Sequence, residues 1–488
     1  MGKMPPDASD SRPRRHDLWR AVLLAARELH DAGLALERDG KSLARVSVPE
    51  FKTNKHGWPS VLADEQLFPR SGPIDWTRLV GLERGAWTNL AIEELPRLRD
   101  VVALVEGDES LGSRISPMAK AGSRLRRAHV VDDCVRLVGS VLGRAIATNR
   151  LTDRDLMEYY CERERALLAK SLTGDLVAPV TLVKFPDVDR FHLGNGVYLE
   201  RLDEETQCAR AVSLQSSVNP YLVAAATHAI VVESTEFDNP NWLVRSFRTW
   251  ERELDLSRID RACQAVEIVT GVPIGYVQVC VRPRGWADGW RHDLPPLEQA
   301  QIVERFARRF RGASWNEAGP SIEATKLGSL STVFANLEAA DRKVHLAARR
   351  LFQCQVREDD DDVVIDACIG IEALVGEGRD ELTHRMASRA AVALARSAHR
   401  VDAARVYALV KKVYAERSTI VHGGARKSVH IVFDGDSYST SGLAVVLLRL
   451  LLLSALEGEP GWTPASLDAA MLQAVNALPE LAERLGSG

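Results

Sequence analysis

Tyr414-Ala-Glu-Arg417-Ser418-Thr-Ile-Val-His422-Gly423-Gly424 closes a helix-patterned stretch, and its reading decides how the last third of the chain folds. Val406, Val410, Val413 and Tyr414 recur at three-to-four spacing, which predicts an amphipathic helix over 402–422. Arg417 stands four residues beyond Val413, at the edge of that face. Burying a guanidinium there costs free energy unless an anion or acceptor meets it. The glycine pair ends the helix at His422 and leaves the imidazole at its rim. Five residues correspond to about 140° of helical rotation, so Arg417 and His422 do not share one face of a straight helix. Two such rims brought together in a dimer would pool two arginines and two histidines in one cleft.

Working outward, the chain is almost wholly helical from residue 335 onward, with helices expected over 337–356, 361–375, 380–398 and 402–422. A short strand-like piece, Val429–Phe433, precedes an apolar helix from Leu443, and a last helical pattern runs from Pro464 towards Leu485. Residues 171–335 read as an α+β region. Strands are expected at Val180–Phe185, at Val197–Leu202 after the turn Gly194-Asn195-Gly196, at Thr227–Glu233 and at Tyr276–Arg282. A helix capped by Ser257 and ended by Gly271 lies between the last two. Residues 18–170 read as mostly helical and 1–17 as a disordered polar tail. The expected fold class is multidomain α+β, mainly α, with an all-α C-terminal bundle of residues 336–488 preceded by a mixed α/β region.

The 488 residues carry 63 Lys+Arg against 67 Asp+Glu, a net charge of -4, which excludes a polybasic protein that binds by bulk charge. Between Glu338 and Leu456 the count is 17 basic and 16 acidic residues, five of the latter in the single run 358–362. Cys134, Cys161, Cys208, Cys263, Cys280, Cys354 and Cys368 are odd in number and form no C-x-x-C, so a reducing cytoplasm is expected. No apolar leader follows the N-terminal arginines. Leu443–Leu456 is shorter than a span of roughly 20 residues and carries Arg449, so it reads as a core helix with no membrane role. Glu358–Asp362 lacks the alternating ligands and glycine of a calcium loop and reads as a helix start. No spacing of histidines or cysteines suits a metal, and no cofactor motif is present.

An R-x4-H arrangement followed by glycine, closing the last long helix of a four-helix unit, resembles the HEPN superfamily, and residues 351–423 resemble its Apea-like group. The supporting pieces are Val364-Ile-Asp366-Ala-Cys-Ile-Gly-Ile-Glu372-Ala-Leu374, His384-Arg385-Met-Ala-Ser-Arg389-Ala-Ala391 and Val413-Tyr414…Arg417-Ser418…His422-Gly423. Residues 336–456 are covered. The resemblance implies a homodimeric, metal-independent endoribonuclease in which Arg417 stabilises the phosphate transition state and His422 is general acid or base. Products would carry 2′,3′-cyclic phosphate and 5′-hydroxyl ends. The residue types suit that chemistry: an imidazole titrates at about 6.5, and a planar guanidinium contacts two phosphate oxygens at once. Ser418 stands where many nuclease members carry Asn, Asp or His.

Ser418, Glu372, Arg389 and Tyr414 are the expected accessory residues. Glu372 shares a helical face with Ile365, Cys368 and Ile369, which predicts burial and demands a partner. The reading favoured for it is a structural salt bridge to Arg385 or Arg389; the functional one is an acceptor orienting Arg417. Arg385, on a stripe with Arg389 and Arg396, and Arg308 and Arg309, within an aromatic-basic run at 305–311, are the expected RNA contacts. The run at 305–311 reads equally as an amphipathic helix with core phenylalanines. The partners expected are host or phage RNA, a second copy of the chain and an activating trigger, with no DNA, and the role implied is anti-phage defence restrained by the N-terminal region. The rival readings are a HEPN module that binds nucleotide or RNA without cutting, and a dimerisation module.

Overall fold

The computed structural model describes residues 12–47, 49–61, 72–85, 88–116, 124–212, 214, 218–239, 254–290, 292–312, 314–377, 382–397, 401–424, 430–433, 436–457 and 463–476. Helices α1 (His16–Arg38), α2 (Pro96–Gly107), α3 (Glu109–Ile115), α4 (Arg124–Ala147) and α5 (Asp153–Leu168) build an N-terminal unit. Their apolar stripes meet in a core of their own that includes Leu18, Val22, Leu29, Leu98, Val135, Val138 and Tyr160. A minimal parallel pair, β1 (Val80–Gly81) with β2 (Leu90–Ala91), lies in the connection. The tail expected over 1–17 falls partly outside the described residues. Its last part is tied down: Glu164, buried on α5, accepts the backbone N–H of Arg14 and of Arg15 at 2.7 and 2.9 Å and the Tyr160 hydroxyl at 2.9 Å.

The middle of the chain forms one antiparallel sheet in the order β4-β5-β6-β3-β7-β8. Its strands are β3 (Ser171–Pro179), β4 (Arg190–Gly194), β5 (Val197–Arg201), β6 (His228–Asp238), β7 (Tyr276–Pro283) and β8 (Glu298–Arg305). Alternation sends Leu176, Leu199, Ile230 and Val279 to one face, where α8 (Ser257–Thr270) packs. Val177, Tyr198, Val231 and Cys280 go to the other, under α6 (Glu204–Val212), which is followed by the single turn α7 (Pro220–Ala224). Three expectations are corrected. The first strand ends at Pro179, because Leu182 takes a left-handed φ of 57° and its N–H turns to Ala225 O. The cap of α8 is Leu256, with Ser257 in the first turn. The run 305–311 is the end of β8 and one 3-10 turn, with Phe306 and Phe310 buried, and no helix.

The segment around Trp58 leaves the N-terminal unit and plugs into the core of the sheet. Trp58 is fully buried there; its Nε1 donates to Glu317 O at 2.7 Å, and the Lys184 ammonium lies over its ring. Sequence periodicity carried no sign of this insertion.

Nine further elements complete the chain: α9 (Leu330–Ala339), α10 (Arg342–Cys354), α11 (Asp360–Val375), α12 (Leu382–Arg396), α13 (Ala403–Val421), β9 (His430–Phe433), β10 (Asp436–Ser439), α14 (Thr440–Glu457) and α15 (Pro464–Asn476). The helix expected over 337–356 is two, broken where the Asp341 side chain accepts the N–H of Lys343 and Val344. Asp359 and Asp402 cap α11 and α13 in the same way, and three aspartates fill the first turn of α11. The fold is mainly α with an antiparallel sheet. One hydrophobic cluster runs from the sheet and α8 through α9 into α10–α14 without a break near residue 335. Gly370 lets α11 approach α14 closely, since a Cβ there would meet Leu448 Cδ2 at 2.7 Å. Helix α14 is long and apolar enough to cross a membrane, yet half of its window is buried inside the protein.

Glu267 lies buried in the seam between α8 and the bundle, with Arg449 of α14, Arg309 of the 3-10 turn and Cys354 of α10 as its charged or titratable neighbours. Burial pushes its carboxyl up to about 8, against the pull of the two arginines. The native state therefore holds a proton there that the unfolded chain releases near its ordinary carboxylate range. That contribution to stability is lost as pH rises from about 4.5 towards 8. Glu267→Gln is expected to flatten the fall in urea midpoint between pH 5.5 and 8.5; an unchanged slope would show that Glu267 does not carry it.

Candidate active site

Helices α11 and α13 pack against each other, and their seam holds three of the residues singled out from sequence, Glu372, Tyr414 and Arg417. The Tyr414 hydroxyl donates to Cys368 O at 3.1 Å, and burial pushes both the phenol and the Cys368 thiol up, the latter to about 12. Neither ionises near neutrality, so Tyr414 is an anchor. One turn on, Arg417 Nη2 lies 3.5 Å from Glu372 Oε1, with the two side chains 30% and 26% exposed. The favoured partners of Glu372, Arg385 and Arg389, are thus corrected: it lies against Arg417, the partner of the alternative reading, and it is partly exposed at the edge of the apolar face.

That pair is loose. Arg417 Nε, Glu372 Oε1 and Glu416 Oε2 are buried atoms that make no hydrogen bond among the described residues. Unsatisfied polar atoms are uncommon in packed interiors, and three of them fall together here. With its side chain 30% exposed, the guanidinium is accessible in part to a phosphate oxygen.

His422 is the C-cap of α13, and the chain leaves through a Schellman turn. Gly424 N–H donates to Thr419 O at 2.9 Å and Gly423 N–H to Ile420 O at 3.0 Å, with Gly423 at φ 69°. The turn fixes His422 at the rim, exposed, and Ser418 is exposed one turn before it. Arg417 faces inward towards α11 and His422 outward, as the helical rotation requires. One protomer places the two groups on different sides of the same helix end.

The other expected residues disperse. Arg389 is 3% exposed; it donates to both oxygens of Asp468 on α15 at 2.7 and 2.6 Å and to Val375 O at 2.9 Å. It clamps α15 and the end of α11 to α12 and has no surface for RNA. Arg385 is exposed on the first turn of α12. Arg308 and Arg309 are exposed on the 3-10 turn, and Arg309 Cζ lies 4.7 Å from the Phe310 ring centre. That turn touches the connection between α10 and α11, through Arg308 N–H to Gln355 O and the Arg311–Glu358 pair, roughly 20 Å from Glu372 at the other end of α11. It does not belong to the α11–α13 site. A hydrogen bond of 2.8 Å between His384 Nδ1 and the Tyr407 hydroxyl joins α12 to α13 on the exposed side, and neither residue was singled out from sequence. Their partnership depends on how the two helices pack, although Tyr407 shares the i, i+4, i+11, i+15 spacing of the exposed face.

No protein-family model, curated protein or solved structure matches the chain.

Nothing lies within 4 Å of a Cβ built on Gly423, so only its backbone conformation opposes substitution. Gly423→Ala is expected to cost about 1 kcal/mol through the left-handed φ. A thermal melt checks this, and an unchanged midpoint would mean the turn beside His422 is not held in that conformation.

Proposed function

We propose that the protein is a metal-independent endoribonuclease of the HEPN type, working as a homodimer whose last long helices meet at their C-terminal ends. The observation that carries this reading is the Arg417–His422 geometry: a half-buried guanidinium with an unused N–H, and an exposed imidazole fixed five residues on. Attack of a ribose 2′-hydroxyl on the adjacent phosphate needs a group that moves protons near neutral pH and a cation for the charge gathering on phosphorus oxygens. His422 supplies the first and Arg417 the second. Because they point to different sides of one helix end, the working site takes Arg417 from one protomer and His422 from the other. Exposed Val421, beside His422, and Val432, on the strand packed against α13, offer apolar surface for that contact.

Glu372 holds Arg417 at the seam until phosphate competes for it, and the N-terminal unit restrains the site until a trigger acts, in keeping with a cytoplasmic role in anti-phage defence. Total RNA incubated with the protein in EDTA is expected to be cleaved to 2′,3′-cyclic phosphate ends. Arg417→Ala and His422→Ala should each lower the rate by at least about 100-fold without lowering the melting temperature. Equal cleavage by either variant, or abolition by chelation, would overturn the assignment.

A further inference from the structure

Beyond the Arg417–His422 pair, the exposed side of α13 carries a second pattern. Tyr407, Lys411, Ser418 and His422 fall within about 60° of one another on the helix wheel and span roughly 22 Å along its axis. Lys411, Ala415, Ser418 and His422 are exposed and Tyr407 is half-buried, so the stripe is an open edge of the bundle with no carboxylate on it. Its upstream end is organised. The Tyr407 hydroxyl meets His384 Nδ1 at 2.8 Å, the two rings lie edge to face at 5.7 Å, and Lys411 Nζ lies 5.4 Å from the Tyr407 ring centre. Arg385 is exposed beside His384. Asp468, whose charge Arg385 feels, is already held by both arms of Arg389. An aromatic ring flanked by a lysine and an imidazole is a composition that single-strand nucleic-acid surfaces use.

We infer that this stripe is the substrate track, on which a single RNA strand lies along α13 from Tyr407 to His422. The inference rests on the ribonuclease reading for its choice of ligand. Lys411 would neutralise a phosphate and Tyr407 would take a base. At about 3.4 Å per stacked nucleotide the track holds about six. A stripe one side chain wide follows one phosphodiester strand and does not suit a duplex. Arg417 is off the stripe by more than a quarter turn, so the track delivers the strand to His422 and meets Arg417 only at the dimer contact.

The test is fluorescence anisotropy with a fluorescein-labelled 12-nucleotide 2′-O-methyl oligouridylate, which lacks the attacking hydroxyl and reports binding without cleavage. Tyr407→Ala should weaken binding by about 5- to 150-fold. Tyr407→Phe, which keeps the ring, should weaken it by less. Lys411→Ala should reduce the salt slope by about 0.7, the value for one phosphate contact on a single strand. Lys411→Glu, at a fully solvated position, separates loss of binding from loss of folding. Absence of binding by the unmodified protein, or affinities unchanged in both Tyr407→Ala and Lys411→Glu, would overturn the track. So would displacement of the oligonucleotide by polyglutamate at equal charge concentration, which would mark an acidic-protein surface. Cleavage that depends on Arg417 but not on Tyr407 or Lys411 would sink the track alone. Binding that depends on the stripe in a protein that never cleaves would sink the ribonuclease reading alone.

Discussion

Helix α11 runs through the apolar heart of the C-terminal bundle, and the polar groups it carries there must each be satisfied. It meets that constraint three times with arginine, each from a different neighbour. Asp366, 4% exposed, takes Arg350 of α10 and Arg357 just beyond it, both at 2.6 Å. Val375 O takes Arg389 of α12, and Glu372 takes Arg417 of α13. The first two are short, well-formed contacts. The Arg417–Glu372 pair is the longest of these contacts, and both of its side chains are partly exposed; Arg417 Nε and Glu372 Oε1, like Arg350 Nε, make no hydrogen bond among the described residues. The contact is therefore looser where α13 meets α11 than where α10 and α12 do.

The bundle is not mechanically separate from what precedes it. The long connection between β7 and β8 is gripped by the N-terminal unit: Arg144 donates to His292 O and Leu294 O at 2.9 Å, and Arg163 pairs with Asp288. Strand β8 then runs into the 3-10 turn whose Arg308 and Arg311 contact the α10–α11 junction. Trp58 adds a second link from the N-terminal third into the shared core. A change in the first unit has a continuous packed route to the start of α11, which the restraint proposed for the distal site requires.

The C-terminal helices were legible because their signals agree at every level: apolar spacing, aspartate caps at Asp359 and Asp402, and Gly423 at the end of α13. The break at Asp341 was missed because the apolar pattern of α9 and α10 continues across it. Strand β8, Glu-Gln-Ala-Gln-Ile-Val-Glu-Arg, was missed because an edge strand of mostly half-exposed residues lacks apolar alternation. Val180–Phe185 looked like a strand since all but Lys184 are buried, but their burial comes from loops on several sides. At the site, Arg417, His422 and Tyr414 were readable from one helix. The partner of Glu372 was left between Arg385 or Arg389 and Arg417, and that of Arg389 was not foreseen, because a sequence does not say whether α11 turns a given residue towards α12, α13 or α15.

In the proposed site two protomers act together, Arg417 coming from one and His422 from the other. That arrangement is tested most directly by mixing separately purified Arg417→Ala and His422→Ala proteins, allowing subunits to exchange, and measuring RNA cleavage in EDTA. The account predicts that the mixture regains up to half of the activity per mixed dimer, because one intact pair, Arg417 from one variant and His422 from the other, is restored. A mixture as inactive as its two components, under conditions where the unmodified protein cleaves and exchange is demonstrated, would contradict it.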